Sequence, residues 1–366
     1  MISMTKQKFD QITTPQTVVI ISNFILGIGI LTLPRTVTEK VKTPDGWITI
    51  ILGGILALLV AIIMVKLAER FPGRSIFQYS NEITGKLIGS IISLCIIVYY
   101  LTLASFELRA MSETTRLFLL QGTPTWAIIL PFIWIGLYLI TGGINPIARM
   151  FEIIFPVTIL FFLVVMFLGL KVFEIDNLRP VMGMGIMPVM KGLTTTSLSF
   201  VGFEIILIIY MYMKKPARAL KATIIGLSIS LVFYCVTFVM VIGALSTDGA
   251  VTQTWPVLTF IRSFELQGLF VERFDSLLLV IWIMQLFTTF SVCYYAAALG
   301  LSHLLKKKID LFIYGLAPMI YIVSMMPRNI NEMFALGSMI GNFTLYFFSS
   351  VPILLLLISL LRGKKT

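Results

Sequence analysis

Charged side chains are scarce in this chain: Asp, Glu, Lys and Arg make up 12% of its 366 residues, against about 25% in soluble domains. That scarcity excludes a large soluble domain. Histidine occurs once, at His303, with no neighbour at metal-ligand spacing, so a metal centre is not expected. Paired carboxylates and a nucleophile with its base are also missing, which argues against an enzyme, and no cofactor motif is present. The three cysteines, Cys95, Cys235 and Cys293, are odd in number and lie inside apolar runs, which excludes a disulfide framework.

Apolar residues fill the space that charge leaves. They account for 58% of the chain, and the mean hydropathy is +0.98. Residues 1–366 therefore read as a single, all-helical integral membrane domain with ten spans. These fall near 14–34, 46–66, 88–108, 126–141, 151–171, 192–213, 222–245, 276–300, 309–326 and 334–361, with the third continuing as helix to Leu120. The first run is too long for a signal-peptide core and has no small-residue cleavage site, so it is expected to stay attached.

Basic residues set the orientation. With both termini in the cytoplasm, 17 of the 28 Lys and Arg residues lie inside, together with only 5 of the 17 acidic ones. The formal net charge of +11 is then a cytoplasmic face set against anionic lipid, and nucleic acid is not needed to explain it. The longest outer connection, Trp255 to Leu269, carries Val257, Leu258, Phe260, Ile261, Phe264 and Leu266 and reads as a helix at the outer membrane surface, an anchored connection more than a lid.

Span one holds Gly27 and Gly29 around Ile28. Two glycines so close weaken a helix by roughly 1 kcal/mol each relative to alanine. They fit either a broken helix or close packing against a neighbour. Span six, at the matching place in the second set of five, contains Ser199, Phe200, Val201, Gly202 and Glu204 after a run of threonines. Interrupted segments at corresponding positions of two inverted halves, here about 12–171 and 191–361, point to a transporter-type site near the midplane, which selects the break. Free N–H groups and carbonyls at such breaks suit a zwitterion.

Glu204 fits three roles: a proton carrier, a contact for a ligand amine, or a cap for the unwound amides, of which the cap is preferred. Arg109–Glu113 and Glu113–Arg116 are spaced to pair, which leaves Glu107 to meet Arg179 or line the entrance, with a structural reason preferred. Thr289 and Cys293 share a face of span eight, Thr288 adjoins them, and Tyr99, Leu103 and Phe106 form a stripe on span three. Back-bonded threonines and ordinary core packing explain these positions as well as a lining role does.

Six strings in order carry a resemblance: Gly27 to Arg35, Thr43 to Trp47, Ala104 to Glu107, Asn177 to Pro180, Ser199 and Phe200 with Gly202 and Glu204, and Phe287 to Phe290. Together they resemble the B subunit of GerA-type spore germinant receptors, within the amino acid/polyamine/organocation transporter superfamily. The resemblance implies a LeuT-like five-plus-five inverted repeat and a nutrient sensor in the inner membrane of a bacterial spore. It further implies a small amino acid ligand and partners in a membrane A subunit and a lipoprotein C subunit. Carried over by position, Gly27 and Gly29 form one break, Ser199 to Gly202 the other, and Leu103, Val201, Thr289 and Cys293 shape a pocket for a small apolar side chain such as that of alanine or valine. A proton- or sodium-coupled amino acid transporter of the same fold is the alternative, with Glu204 as proton carrier and Thr288 or Thr289 as sodium ligands.

Overall fold

Hydrocarbon offers no partner to a backbone N–H or C=O, so apolar runs of this length close their own hydrogen bonds as helices. A computed structural model describes residues 10–27, 29–263 and 274–363, and among them the chain is helical apart from turns and one isolated bridge. Among the described residues, six helices are long and apolar enough to cross a membrane: Gly46–Glu69, Lys86–Phe118, Ile144–Gly169, Pro216–Thr252, Leu279–Leu305 and Ile330–Leu361. A bent pair, Thr14–Ile25 and Gly29–Val41, meets at 50° where span one was expected. Shorter apolar helices, Thr125–Thr141, Phe203–Tyr212 and Ile309–Met325, stand at spans four, six and nine. Each expected span thus has a helical counterpart. Span five starts earlier than expected, at Ile144, and Ile144, Ile147 and Ala148 in that added stretch are buried.

Local chemistry explains the ends. Thr13 caps the first helix in a reciprocal box with Gln16, and Pro15 occupies the first turn, where its missing N–H costs nothing. The sequence pattern passed over the helix Ile76–Thr84, which a similar box between Ser75 and Gln78 starts. Nine residues are too few to cross a bilayer, and its buried Ile76, Phe77, Tyr79 and Ile83 pack on the bundle instead. His303 lies against this corner, with Nδ1 2.7 Å from Ser75 Oγ.

The pairing expected along the end of span three holds for one pair only. Arg109 and Glu113 meet at 2.8 Å, both buried, whereas Arg116 donates to Thr125 Oγ1 at 3.2 Å. Glu113 is engaged one turn earlier, and the start of span four brings a hydroxyl to Arg116. In the connection after span seven, Pro256–Ser263 is helical, and its Val257, Leu258, Phe260 and Ile261 are buried against the second half of span one and against span seven. The rest of the expected surface helix, including Phe264 and Leu266, lies outside the described residues.

Spans one and six are tied where one begins and the other ends. The Ile12 amide donates to the Tyr212 carbonyl at 2.8 Å, and the Lys214 amide donates to the Ile12 carbonyl at 2.9 Å. Apolar side chains such as Leu87, Trp134, Tyr138, Phe167 and Leu361 cover the perimeter of the bundle, as lipid contact requires.

A candidate ligand site between two broken spans

Ending a helix after Ile25 deprives the carbonyls of its last turn of their usual partners four residues on. Side chains from distant spans replace them. Gln285 Nε2 donates to the Asn23 carbonyl at 2.6 Å, while its Oε1 accepts from Thr158 at 3.3 Å, joining spans eight and five to the break. The Ser22 carbonyl keeps the Leu26 amide at 3.1 Å and gains a second donor, Ser230 of span seven, at 3.2 Å. One turn along the same span, the Tyr234 hydroxyl lies 2.5 Å from the Ile25 carbonyl and 2.6 Å from the Ser199 carbonyl, so a single buried group serves both broken spans.

Span six is interrupted as expected. Regular helix, Met187–Gly192, tightens into Leu193–Thr196, gives way to turns, and resumes at Phe203–Ile205. Gly202 sits at φ +121°, a conformation that costs a side chain dearly. Its amide donates to Glu204 Oε2 at 2.9 Å, and Tyr99 donates to Glu204 Oε1 at 2.5 Å. Glu204 therefore caps the unwound segment and ties it to span three.

The span-one glycines serve both as a break and as a point of close approach. A Cβ at Gly29 would stand 2.8 Å from the Ser199 Cα. A Cβ at Gly27 would stand 2.9 Å from Glu107 Oε1 and 3.4 Å from Thr289 Oγ1. Glu107 thus faces the break and not Arg179, which pairs on the surface with Asp176 at 3.1 Å, three residues away. The Thr289 hydroxyl is buried and has no hydrogen-bond partner among the described residues. Thr288 instead donates to the Gln285 carbonyl at 2.6 Å, so its oxygen is turned to its own helix.

Leu103, Phe106, Ser199, Phe200, Val201 and Cys293 are all buried. Phe200 packs edge-on against Tyr234 with centroids 5.4 Å apart, and Phe106 fills the space beside Gly337 of span ten. Cys293 lies within electrostatic reach of both Glu107 and Glu204. Ile28 lies outside the described residues. Tyr234, Gln285 and Thr344 belong to no motif, yet Ser230, Tyr234 and Thr237 recur at helical spacing, and Gln285 precedes Thr289 by one turn on the same face.

A family model described as spore germination protein matches residues 11–333. The chain belongs to the spore germination protein family. It is 53% identical over 354 residues to spore germination protein YndE of Bacillus subtilis (strain 168), covering 97% of this chain and 98% of that one. Spore germination protein A2 of the same organism is 40% identical over 359 residues, covering 98% of each. These relatives are of the B-subunit germinant receptor type. Among solved structures, MhsT in complex with L-phenylalanine aligns with a TM-score of 0.69 at 10% identity, over 94% of this chain and 97% of that one. That likeness shows the LeuT-like fold.

Within this spore germination protein, Tyr234 is the joint between the breaks. Tyr234→Phe removes the one hydroxyl hydrogen that the Ile25 and Ser199 carbonyls share and is expected to lower unfolding stability by about 1–3 kcal/mol. Thermal unfolding in detergent checks this beside Ser230→Ala, and an equal loss in both variants would remove the special role of Tyr234.

Proposed function

We propose that this protein is a germinant receptor subunit that binds a small apolar amino acid between the breaks of spans one and six and passes the resulting change of shape to partner subunits. The convergence of the Glu107 carboxylate and the free Thr289 hydroxyl on the bare backbone at Gly27 carries this reading. A carboxylate and a hydroxyl suit the ligand ammonium, and backbone N–H groups of the interrupted helices suit its carboxylate. Leu103, Val201 and Cys293 are buried and carry no charge, which suits an apolar ligand side chain and offers no counter-charge to a charged one. The partners are a membrane A subunit and a lipoprotein C subunit, the setting is the inner membrane of the spore, and both termini face the cytoplasm. Signalling then requires only that the ligand favour one of two conformations, and a coupling of about 1–3 kcal/mol suffices.

The same geometry weighs against sodium coupling. Cations in such folds sit on carbonyls freed at a helix break. Here Gln285 and Tyr234 already hold the Asn23 and Ile25 carbonyls, and Thr288 is turned to its own helix. Saturable binding of alanine or valine to the purified protein is therefore expected to be independent of sodium. In proteoliposomes with imposed proton and sodium gradients, the same amino acid is expected not to accumulate. Gradient-driven accumulation would make the protein a symporter and overturn the receptor reading.

A further inference from the structure

The hydrogen bonds of Glu204 continue beyond the break. Tyr99, its donor, accepts from Thr344 Oγ1 at 3.0 Å, and that hydroxyl has a second acceptor, the Ile340 carbonyl, also at 3.0 Å. Glu204, Tyr99 and Thr344 are all buried. Thr344 opens a stretch of wider helix, Thr344–Phe348, of the kind that gathers at functional sites. It also lines a partly open pocket between spans two, six and ten, shared with Thr196, Ser197 and Ser349.

No cation faces this carboxylate among the described residues. Span three presents Tyr99 and Tyr100, and span eight presents Cys293, which is also within electrostatic reach of Glu107. The Thr14–Ile25 half of span one carries no ionisable side chain. Those of span two, Lys66 and Glu69, sit at its last turn, with Glu69 near Tyr210. On span ten, Glu332 is held by the Arg328 amide and Asn329, and Tyr346 is exposed. A buried carboxylate with donors but no counter-ion, joined by hydroxyls to a pocket, is built to exchange a proton.

We propose that Glu204 is a proton-binding site, loaded from the pocket through Thr344 and Tyr99. A proton arriving from water bonds to Thr344 Oγ, the hydrogen that Oγ held passes to Tyr99 Oη, and the tyrosine hydrogen passes to Glu204 Oε1. Each hydroxyl ends with one hydrogen, the carboxylate becomes a carboxylic acid, and the chain now runs from Glu204 to Tyr99 to Thr344 to the Ile340 carbonyl. The Gly202 amide then faces a neutral acceptor, a bond roughly half as strong as that to the ion. Protonation loosens the span-six break, and for its effect on ligand the inference rests on the site proposed above. Amino acid affinity falls on acidification, and binding releases a proton.

Infrared difference spectra of the ligand-free protein in nanodiscs test the site without reference to ligand. A carboxylic-acid C=O band is expected to appear on acidification, to be absent in Glu204→Gln, to persist in Glu107→Gln, and to shift in Tyr99→Phe. A band that survives Glu204→Gln, or no such band at any pH where the protein stays folded, overturns the proposal. Should Glu204→Gln fail to fold, an unshifted band in Tyr99→Phe does the same. In a second arm, alanine or valine affinity is expected to weaken about fivefold or more on acidification in the native protein and to stay level in Glu204→Gln. A titrating band without saturable binding would refute the ligand site while leaving the proton site standing.

Discussion

Gly27→Val is expected to abolish saturable amino acid binding, with a loss of about 100-fold or more, while the protein still reaches the membrane. The new Cβ alone would stand 2.9 Å from Glu107 Oε1 and 3.4 Å from Thr289 Oγ1, and two γ-methyls on a stiff side chain extend into the same space. Glu107 must then swing away from the break, taking with it the negative charge that suits an ammonium. A 100-fold loss corresponds to about 2.8 kcal/mol, within reach of one misplaced buried charge. Insertion is unaffected because the substitution makes span one more apolar. Gly27→Ala is expected to be intermediate, since the nearest atom is the far end of a flexible side chain. Equilibrium binding on purified variants decides the matter, and a valine variant that binds within about threefold of the native protein would remove Gly27 from the site.

Gly202→Ala is expected to cost about 3 kcal/mol or more of unfolding stability and to remove binding with it. Two effects act together. A side chain at φ +121° strains the backbone, and its Cβ would run into the ring of Phe24 and lie 3.1 Å from the Ile25 amide. Neither obstacle can give way cheaply, because Phe24 and Ile25 end the first half of span one, where Tyr234 fixes the Ile25 carbonyl. Gly315→Ala supplies the comparison: Gly315 lies within the helix Ile309–Met325 with nothing within 4 Å of its would-be Cβ. That variant is expected to be neutral or slightly stabilising. Thermal unfolding of the two variants in the same detergent separates them, and equal midpoints would mean that the span-six break tolerates a side chain.

These two glycines were legible in the sequence because a glycine inside an apolar span has few explanations, and a second irregular segment five spans later narrows them to one. Glu204 was legible for a related reason: a carboxylate in a span needs donors, and the nearest bare amides are those of its own break. Thr288 and Glu107 were harder to place. The hydroxyl of Thr288 finds the Gln285 carbonyl of its own helix, and Glu107 turns to Gly27 while Arg179 takes Asp176 as a local partner. A local partner can be foreseen from spacing, whereas the choice between a local and a distant one depends on which span lies alongside.

The ten apolar runs, the two weak points in spans one and six, and the family follow from the order of residues alone, because hydrocarbon forces each run to satisfy its own backbone and leaves few ways for a run to be interrupted. The tertiary structure alone decided what closes those interruptions. Gln285 on the Asn23 carbonyl, Tyr234 between the Ile25 and Ser199 carbonyls, and Thr344 behind Tyr99 and Glu204 join residues from about 35 to more than 260 positions apart. A freed backbone group has no sequence partner of its own; it takes whichever donor the packing of other spans brings within hydrogen-bond distance.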